Sequence, residues 1–273
     1  MAGRAQSLRA AVDAVLDETS DWEHAARDWP TSAPSSLLRA YSDEVNAGLV
    51  RRWLPSLAGS RVLKTDLFDE AVAAGLVPGL RAAGASVVGV DVSEATVAAA
   101  RMRYPDLEVE IADVRRLPFA DASFDVVVSN STLDHFESIT DLRRAIGELH
   151  RVLGPGGNLL ITLDNGANPL VALRNALPAR ALRRLGLTHY VLGTTCGPRR
   201  LSTLLQTAGF EIERASAVMH FPRVAARLLA AALGPRARLL RLLVAGERLE
   251  RTPLRYATGQ FVAAQAVKPL PPP

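Results

Sequence analysis

This sequence predicts an α/β fold, in which helices cover both faces of a mostly parallel β-sheet. From residue 61 onward, short apolar runs alternate with helical patterns, which is typical of βαβ units. The runs at 86–91 and 123–131 are rich in valine, which indicates strands buried on both faces. The chain has 273 residues, 48% hydrophobic and 22% charged, which suits one large globular domain and excludes a largely disordered chain.

The first 57 residues are expected to form a helical cap. Ser35 and Ser36 can cap a helix whose apolar residues, from Leu38 to Trp53, recur near every fourth position. The preceding segment, 21–34, contains several helix-breaking residues and is expected to be a loop.

The first part of the sheet follows from alternating patterns between residues 61 and 164. Ser93 is expected to cap a helix, and the dipole of that helix stabilises Glu94 in its first turn. A Pro-Gly-Gly sequence at 155–157 predicts a turn before the fifth strand. The expected elements are strand 61–65, helix 68–82, strand 86–91, a helix after Ser93, strand 107–113, strand 123–131, helix 137–153 and strand 158–164.

The last third of the chain is expected to hold two more strands, at 210–221 and 257–269. A helix over 198–208 begins with a proline, and Gly209 is a natural stop. Two basic amphipathic segments are interpreted as helical insertions flanking the sixth strand. The predicted organisation is a cap over 1–57, a main domain over 58–268 with insertions at about 166–200 and 222–252, and a proline-rich tail over 269–273.

The net charge of +4 conceals an uneven distribution. Residues 165–251 contain fourteen arginines, four glutamates and no lysine, a formal charge of +10, so the remainder carries −6. Such a region indicates either an anionic partner or exposed helix faces that arginine keeps soluble. Three interpretations remain for the basic helices: a lid over the substrate, which ranks first, a peripheral membrane contact, and an oligomer interface. Nucleic acid is not expected as a partner, because few aromatic residues can stack on bases.

A cytoplasmic location is expected. The single cysteine, Cys196, cannot form an intrachain disulfide, which fits a reducing compartment. The first residues include acids where a signal peptide needs an apolar run, and no apolar stretch approaches the ~18–20 residues that span a bilayer. The five histidines and one cysteine have no spacing typical of a metal site.

Residues that directly follow the strands are the best candidates for a binding site, because open parallel sheets bind ligands outside the carboxyl ends of their strands. Asp91 can hold a ribose diol or only mark a helix start, and Asp113 can accept a bond from an exocyclic amine or only cap a turn. His135 is the best candidate for a general base, since histidine titrates near neutral pH; the alternative is a packed residue that holds a loop. Asp125 starts its strand and is expected to be structural.

Two consecutive motifs give the chain a family resemblance. ADVRRLPFADASFDVVVSNSTLDHF, at 112–136, is followed by LRRAIGELHRVLGPGGNLLITL, at 142–163. Together they resemble the class I S-adenosylmethionine-dependent methyltransferases, in particular the small-molecule (type 11) group. The resemblance covers about 58–165, with weaker support at 201–212. It implies a Rossmann-like sheet of seven strands with the last strand antiparallel, S-adenosylmethionine as the cofactor and a small-molecule acceptor.

The same resemblance assigns roles to residues at the strand ends. It implies that Asp91 binds the ribose hydroxyls and that Val92 packs on the adenine. Asp113 and Val114 would meet the adenine amine and ring edge, and Asn130 would line the floor near the methionine part of the cofactor.

The first motif of the chain departs from the family pattern. The family usually has a strand ending in an acid and then Gly-x-Gly-x-Gly, whose glycines let the backbone approach the cofactor closely. Here the segment is VLKTDLFDEA, with Lys64 in place of the acid and with Asp66, Phe68 and Glu70 in place of the glycines. Side chains at those positions are expected to obstruct the usual cofactor pose.

The acids of this segment suggest a different cofactor contact. The carboxylates of Asp66, Asp69 and Glu70 are candidates to hold the ammonium group of the cofactor, and Thr65 and Asp66 are therefore included among the cofactor-binding residues. Two functions stay open: methyl transfer to a small molecule at carbon, nitrogen or oxygen, or a binding or regulatory subunit whose fold has lost methyl transfer. The missing glycine loop argues against a dinucleotide-dependent dehydrogenase.

Overall fold

A computed structural model describes residues 33–136, 138–177, 193–233 and 237–271. Within these residues lies one seven-stranded sheet of order β3-β2-β1-β4-β5-β7-β6. Strand β7 is antiparallel to β5 and β6, whereas the pairs among β1 to β5 are parallel. The strands are β1 Arg61–Lys64, β2 Ser86–Asp91, β3 Glu108–Ile111, β4 Phe124–Asn130, β5 Leu153–Asp164, β6 Glu211–Val218 and β7 Phe261–Val267.

Helices cover both faces of the sheet, each over its own apolar core. Helices α1, α3, α4, α8 and α9 pack on one face, and α5 and α7 pack on the other. The predicted Rossmann-like α/β class is therefore confirmed. The α-helices are α1 Ala33–Trp53, α2 Phe68–Val72, α3 Val77–Ala82, α4 Glu94–Arg103, α5 Ile139–Val152, α6 Pro169–Ala176, α7 Pro198–Thr207, α8 Arg223–Leu233, α9 Ala237–Ala245 and α10 Arg255–Thr258, and 3-10 turns span Leu133–His135 and Gly246–Arg251.

Helix α1 contains Ala33 and Pro34, so the expected start at Ser35 or Ser36 is wrong. The rest of the expected loop, 21–32, lies outside the described residues. The apolar stripe of α1, which includes Tyr41 and Leu49, shares one core with strands β1 and β4. The boundary between the cap and the main domain at residue 57 stays a prediction.

Two further expectations fail where backbone contacts override the local sequence. The Pro-Gly-Gly at 155–157 lies inside β5, because Gly156 N donates to Lys268 O (2.7 Å) and Lys268 N donates back to Gly157 O (2.9 Å). Strand β7 begins at Phe261 rather than at 257. Residues before it form α10, which ends at Thr258. Its C-cap is Gly259, where any Cβ would lie 2.7 Å from the Cβ of Ala217.

The expected helix over 68–82 is divided into α2 and α3 by a turn at Gly75. Gly75 has a φ of +60°, and a Cβ there would lie 2.3 Å from Glu70 Oε1. That carboxylate oxygen accepts hydrogen bonds from the amides of Leu76 (2.8 Å) and Val77 (3.3 Å). The side chain of Glu70 therefore reverses the chain and caps the start of α3.

The other oxygen of Glu70 forms a buried ion pair with Lys64. The Nζ–Oε2 distance is 2.9 Å, and the two side chains are 3% and 0% exposed. Lys64 Nζ also donates to the carbonyl oxygen of Asp66. Burial alone would lower the pKa of Lys64, but the charges of Glu70, Asp66 and Asp69 raise it above its ordinary value, so the lysine is charged. This pair ties the end of β1 to α2 and α3.

The described elements of the C-terminal third partly cover the predicted basic insertions. Helix α6 lies in the first insertion, and α8, α9 and a 3-10 turn lie in the second. Residues 178–192 and the expected break at 234–235 lie outside the described residues. No helix of the described part of the chain combines the length and the apolar character needed to cross a membrane.

The ion pair predicts a large loss of stability when only one partner is removed. Lys64→Met leaves the charge of Glu70 buried and unpaired, which should lower the free energy of unfolding by about 3–5 kcal/mol. The double variant Lys64→Met/Glu70→Gln removes both charges but keeps an oxygen for the amide of Leu76, so it should recover much of that loss. Urea unfolding followed by circular dichroism measures both values.

A matched control is the exposed pair of Arg51 and Glu44, which are 62% and 50% exposed at 3.0 Å. Arg51→Met should cost at most about 1 kcal/mol. If Lys64→Met and Arg51→Met lowered the free energy of unfolding equally, or if the double variant recovered none of the loss, the buried pair would not have the predicted effect on stability.

Candidate functional site

A cavity that is open to solvent lies at the carboxyl ends of the parallel strands. Seven of the eight predicted site residues line it. These are Thr65, Asp66, Asp91, Val92, Asp113, Val114 and His135. The remaining lining residues are Phe68, Thr96, Ala112, Arg115, Thr132 and Phe136.

Asp91 ends strand β2 and connects two neighbouring segments. Its Oδ1 accepts the amide of Ser93 (2.9 Å), and its Oδ2 accepts the amide of Leu67 (3.0 Å). Burial raises the pKa of Asp91, whereas these two amides act to lower it. A carboxylate has about four lone-pair sites, so Asp91 can accept a hydrogen bond from a ligand hydroxyl in addition to these amides. Asp91 is thus both a structural residue before α4 and a fixed carboxylate in the cavity.

Ser93 is the N-cap of α4, as predicted. Its side chain accepts the amide of Thr96 at 3.2 Å. Because Thr96 also lines the cavity, the cap fixes part of the wall beside Asp91.

Asp66 stands beside Asp91 in the cavity, in the segment that replaces the family's glycines. Its Oδ1 accepts the amide of Phe68 at 2.7 Å. Burial and, after it, the adjacent charge of Asp91 raise the pKa of Asp66 to about 6, although the charge of Lys64 opposes the shift. Two neighbouring carboxylates repel each other when both are ionised, and a cation bound beside them would relieve that repulsion.

Thr65 joins the ends of β1 and β4. Its hydroxyl lies 3.0 Å from the hydroxyls of both Ser129 and Thr132. Thr132 lines the cavity as well, so these hydrogen-bonded hydroxyl groups lie at the floor of the cavity.

Asp113 is bound by Arg115, a residue that the sequence analysis did not identify. Arg115 Nε lies 3.0 and 2.9 Å from the two carboxylate oxygens, and Nη2 lies 2.6 Å from Oδ2. The guanidinium also lies 4.8 Å from the ring centroid of Phe136. Asp113 accepts the amide of Arg115 too, so it has the turn-capping role, and any adenine amine would have to share the carboxylate with Arg115. An Asp-x-Arg spacing at a strand end is the sequence signal for such a fork.

His135 lies in the 3-10 turn after β4, with its side chain 19% exposed in the cavity wall. Its Nε2 is 3.7 Å from Asp134 Oδ1, which is an ion-pair distance and too long for a hydrogen bond. Asp134 is buried, and its Oδ2 accepts Ser131 Oγ (2.9 Å) and the amide of Asp164 (3.1 Å). Asp134 is therefore fixed independently of His135 and presents negative charge to the imidazole.

Asp164 lies behind this turn and is paired with Arg174 of α6. Burial raises the pKa of Asp164 to about 6, and the charge of Asp134 adds to the shift while Arg174 opposes it. The turn that carries His135 is thus held in place by two buried carboxylates, those of Asp134 and Asp164.

Asn130 is the one predicted site residue that does not line the cavity. Its side chain is 8% exposed, and neither amide atom has a hydrogen-bond partner among the described residues. Val126 and Val128 of the same strand belong to the core beneath α1, and the two-residue period of β4 places Asn130 on that face. Its role toward the methionine part of the cofactor stays a prediction.

Three other expectations are resolved by the geometry. Glu70 is turned into its pair with Lys64, so the expectation that it holds an ammonium is wrong. Asp69 is not among the residues that line the cavity. Asp125 accepts the amide of Arg61 (2.8 Å) at the opposite edge of the sheet, which confirms its structural role.

Two polar residues outside the cavity lining are occupied by structural contacts. Tyr41 is hydrogen-bonded to Glu247, and burial raises its pKa. His220 contacts Thr258 Oγ1 (2.8 Å) through Nδ1 and Ala217 O (2.9 Å) through Nε2. His189 and Tyr190 lie outside the described residues. Within the described ranges no three His, Cys, Asp or Glu side chains are grouped as a metal would require.

Comparisons with known proteins agree with this geometry. Residues 71–161 match the model of the methyltransferase domain. A probable S-adenosylmethionine-dependent methyltransferase of Mycolicibacterium smegmatis is 34% identical over 134 residues, which are 49% of this chain and 47% of that protein. A demethylmenaquinone methyltransferase of Chlorobaculum parvum is 43% identical over 74 residues, 27% of this chain and 30% of that protein. The chain thus spans about half the length of the first relative and about a third of the second.

A solved structure, that of the 4+2 cyclase SpnF, is similar in fold over most of both chains. The TM-score is 0.55 at 24% identity, over 84% of this chain and 82% of that one. Residues 71–161 therefore match the methyltransferase domain family, and the described residues form a seven-stranded Rossmann-like sheet whose fold is shared with solved S-adenosylmethionine-dependent methyltransferases.

Proposed function

We propose that this protein transfers a methyl group from S-adenosylmethionine to a small-molecule acceptor. The observation that carries the proposal is the carboxylate of Asp91, which is fixed by the amides of Leu67 and Ser93 in the wall of the cavity. In open α/β sheets, a carboxylate at this strand end is the group that binds a ribose diol.

The chemistry of the lining fits S-adenosylmethionine, which is composed of an adenosine, a sulfonium and an amino acid. Asp91 supplies an acceptor for ribose hydroxyls, and Val92, Ala112 and Val114 supply an apolar wall for adenine. Asp66 supplies a negative charge for the cationic part. When bound, this cofactor supplies a methyl group already activated for transfer.

The residues of the chain then have three tasks: to orient both reactants, to exclude water and to accept a proton. Alignment of the two reactants within one cavity is a major source of rate enhancement in such a reaction. His135 faces the cavity and is positioned to take a proton from an acceptor hydroxyl or amine. The negative charge of Asp134, 3.7 Å away, stabilises the imidazolium that this transfer produces.

The acceptor is proposed to be a small molecule that is anionic or linked to a lipid or a carrier. The charge of +10 over residues 165–251 supports this, as does the relative named as a demethylmenaquinone methyltransferase. In α9, Leu242 is 60% exposed beside the exposed Arg238 and Arg241, which suits a peripheral contact with a membrane surface.

A second candidate function is a fold of this family that binds a ligand without methyl transfer. Two observations favour it: Phe68 lines the cavity where the family has a glycine, and the fold is shared with a protein titled as a cyclase. Titration with S-adenosylmethionine, followed by a search for transfer of a radiolabelled methyl group, separates the two functions. Binding without transfer to any quinone, phenol or amine would favour this second function.

The first test of the proposed site is the variant Asp91→Ala. The wild type should bind S-adenosylmethionine with a Kd in the micromolar range, and Asp91→Ala should weaken binding by about 10- to 100-fold, since it removes a charged acceptor of two hydroxyls. Calorimetric titration measures both constants. Asp106→Ala is the matched control, because Asp106 is exposed in the turn before β3 and does not line the cavity. Equal affinity of Asp91→Ala and the wild type would remove Asp91 from the site.

The second test separates a catalytic His135 from a packed one. His135→Gln should reduce single-turnover methyl transfer by about 10²- to 10⁴-fold and change the affinity for S-adenosylmethionine little. His150→Gln is the control, because that ring packs on Phe210 (4.9 Å between centroids) and does not line the cavity. A parallel fall of affinity and rate, with an unchanged pH profile, would mean that His135 only supports the loop.

A further inference from the structure

Phe68 lines the cavity at a position where the family pattern has a glycine. The contacts of the residue before it explain how this segment is held. Leu67 is fully buried and packs on Gly89, where any Cβ would lie 2.6 Å from Leu67 Cδ2. The amide of Leu67 is also bonded to Asp91. The backbone is thus anchored on the sheet side, and the side chain of Phe68 lies in the cavity wall.

The carboxylate of Asp66 belongs to the same turn as this ring. Its Oδ1 accepts the amide of Phe68 at 2.7 Å, so the acid and the aromatic side chain are held in a fixed relation. Lys64, the cation behind this turn, does not line the cavity and is already paired with Glu70.

Charge is unevenly distributed around the cavity. Asp113 and Arg115 neutralise each other through contacts as short as 2.6 Å. Among the described residues that line the cavity, neither Asp66 nor Asp91 forms an ion pair with an arginine or lysine, although the charges of Lys64 and His135 act on Asp66. The end of the cavity formed by Asp66, Phe68 and Asp91 therefore has an excess of negative charge beside an aromatic ring.

We propose that Phe68 and Asp66 form a subsite for the cationic part of S-adenosylmethionine, the ring meeting the sulfonium and the carboxylate adding negative charge. The inference rests on the proposed function and gives a role to the residues that replace the glycine loop. A sulfonium spreads its charge over its carbon substituents, as a quaternary ammonium does, and such cations bind well to aromatic faces. The side chain of Phe68 is a cofactor contact and no obstruction.

The test compares S-adenosylmethionine with S-adenosylhomocysteine, which has a neutral thioether in place of the sulfonium. Phe68→Leu keeps an apolar side chain but removes the ring face. It should therefore weaken the binding of S-adenosylmethionine by about 2- to 30-fold and the binding of S-adenosylhomocysteine much less. Phe68→Tyr keeps the ring and is the matched control, with affinities near those of the wild type. Calorimetric titration of the full chain gives all constants.

Two results would overturn the inference. Equal losses for the two ligands in Phe68→Leu would mean that the ring recognises no positive charge. Tighter binding of both ligands by Phe68→Gly would mean that the ring obstructs the site. Failure of the proposed function is distinguishable, since a folded wild type would then bind neither ligand, or would bind S-adenosylmethionine without transferring its radiolabelled methyl group.

Asp66 offers a second readout that needs no ligand. Its pKa in the folded chain, about 6, lies above its ordinary value of 3.8, so its favourable contribution to stability is present below pH 3.8 and is lost as the pH rises through 6. The groups that act on it are Asp91, Lys64 and His135. Asp66→Asn removes the ionisation, so it should raise the Tm of the free protein at pH 7.5 and much less at pH 4.

The same variant should weaken S-adenosylmethionine at pH 7.5, because the negative charge is lost. We therefore expect two results together: Asp66→Asn is more stable than the wild type without ligand, and it binds S-adenosylmethionine less tightly. A lower Tm at pH 7.5, or unchanged affinity, would show that Asp66 has a structural role alone.

Discussion

The buried ion pair between Lys64 and Glu70 is the interaction on which the candidate site depends. In the usual pattern, glycines shape the turn after β1, because they allow backbone conformations that other residues avoid. Here a lysine and a glutamate, both almost fully buried, shape it by charge. One carboxylate oxygen meets Lys64, and the other caps the start of α3. Glu70 thereby links the end of β1, through Lys64, to the start of α3, and the segment between them is held in place.

This arrangement decides which side chains reach the cavity. Glu70 is directed into the protein, Leu67 is packed on Gly89, and Asp66 and Phe68 remain in the cavity wall. Asp91 then links the turn to α4 through the amide of Leu67. Under the proposed cation subsite, the cost of holding Asp66 and Asp91 together would be a source of affinity for the cofactor, so the stability of the free protein and cofactor binding would oppose each other at this point.

The sequence predicts the sheet and most of the cavity because both depend on local patterns. Valine-rich runs identify the buried strands, and the rule that ligands lie at strand ends selects Asp91, Asp113 and His135. The sequence does not predict which charged side chains pair with each other and which remain exposed to the cavity. Glu70 meets Lys64 only after the turn at Gly75 forms, and the orientation of Asn130 depends on the alternation of β4. Both are consequences of tertiary contacts, which single-residue patterns do not contain.

A crystal structure with S-adenosylhomocysteine would show whether a turn fixed by the Lys64–Glu70 pair is a cofactor site without glycines. We expect ribose hydroxyls within hydrogen-bond distance of Asp91, an intact Lys64–Glu70 pair, and the ring of Phe68 against the thioether. A ligand bound elsewhere, or a turn opened with the ion pair broken, would contradict this expectation.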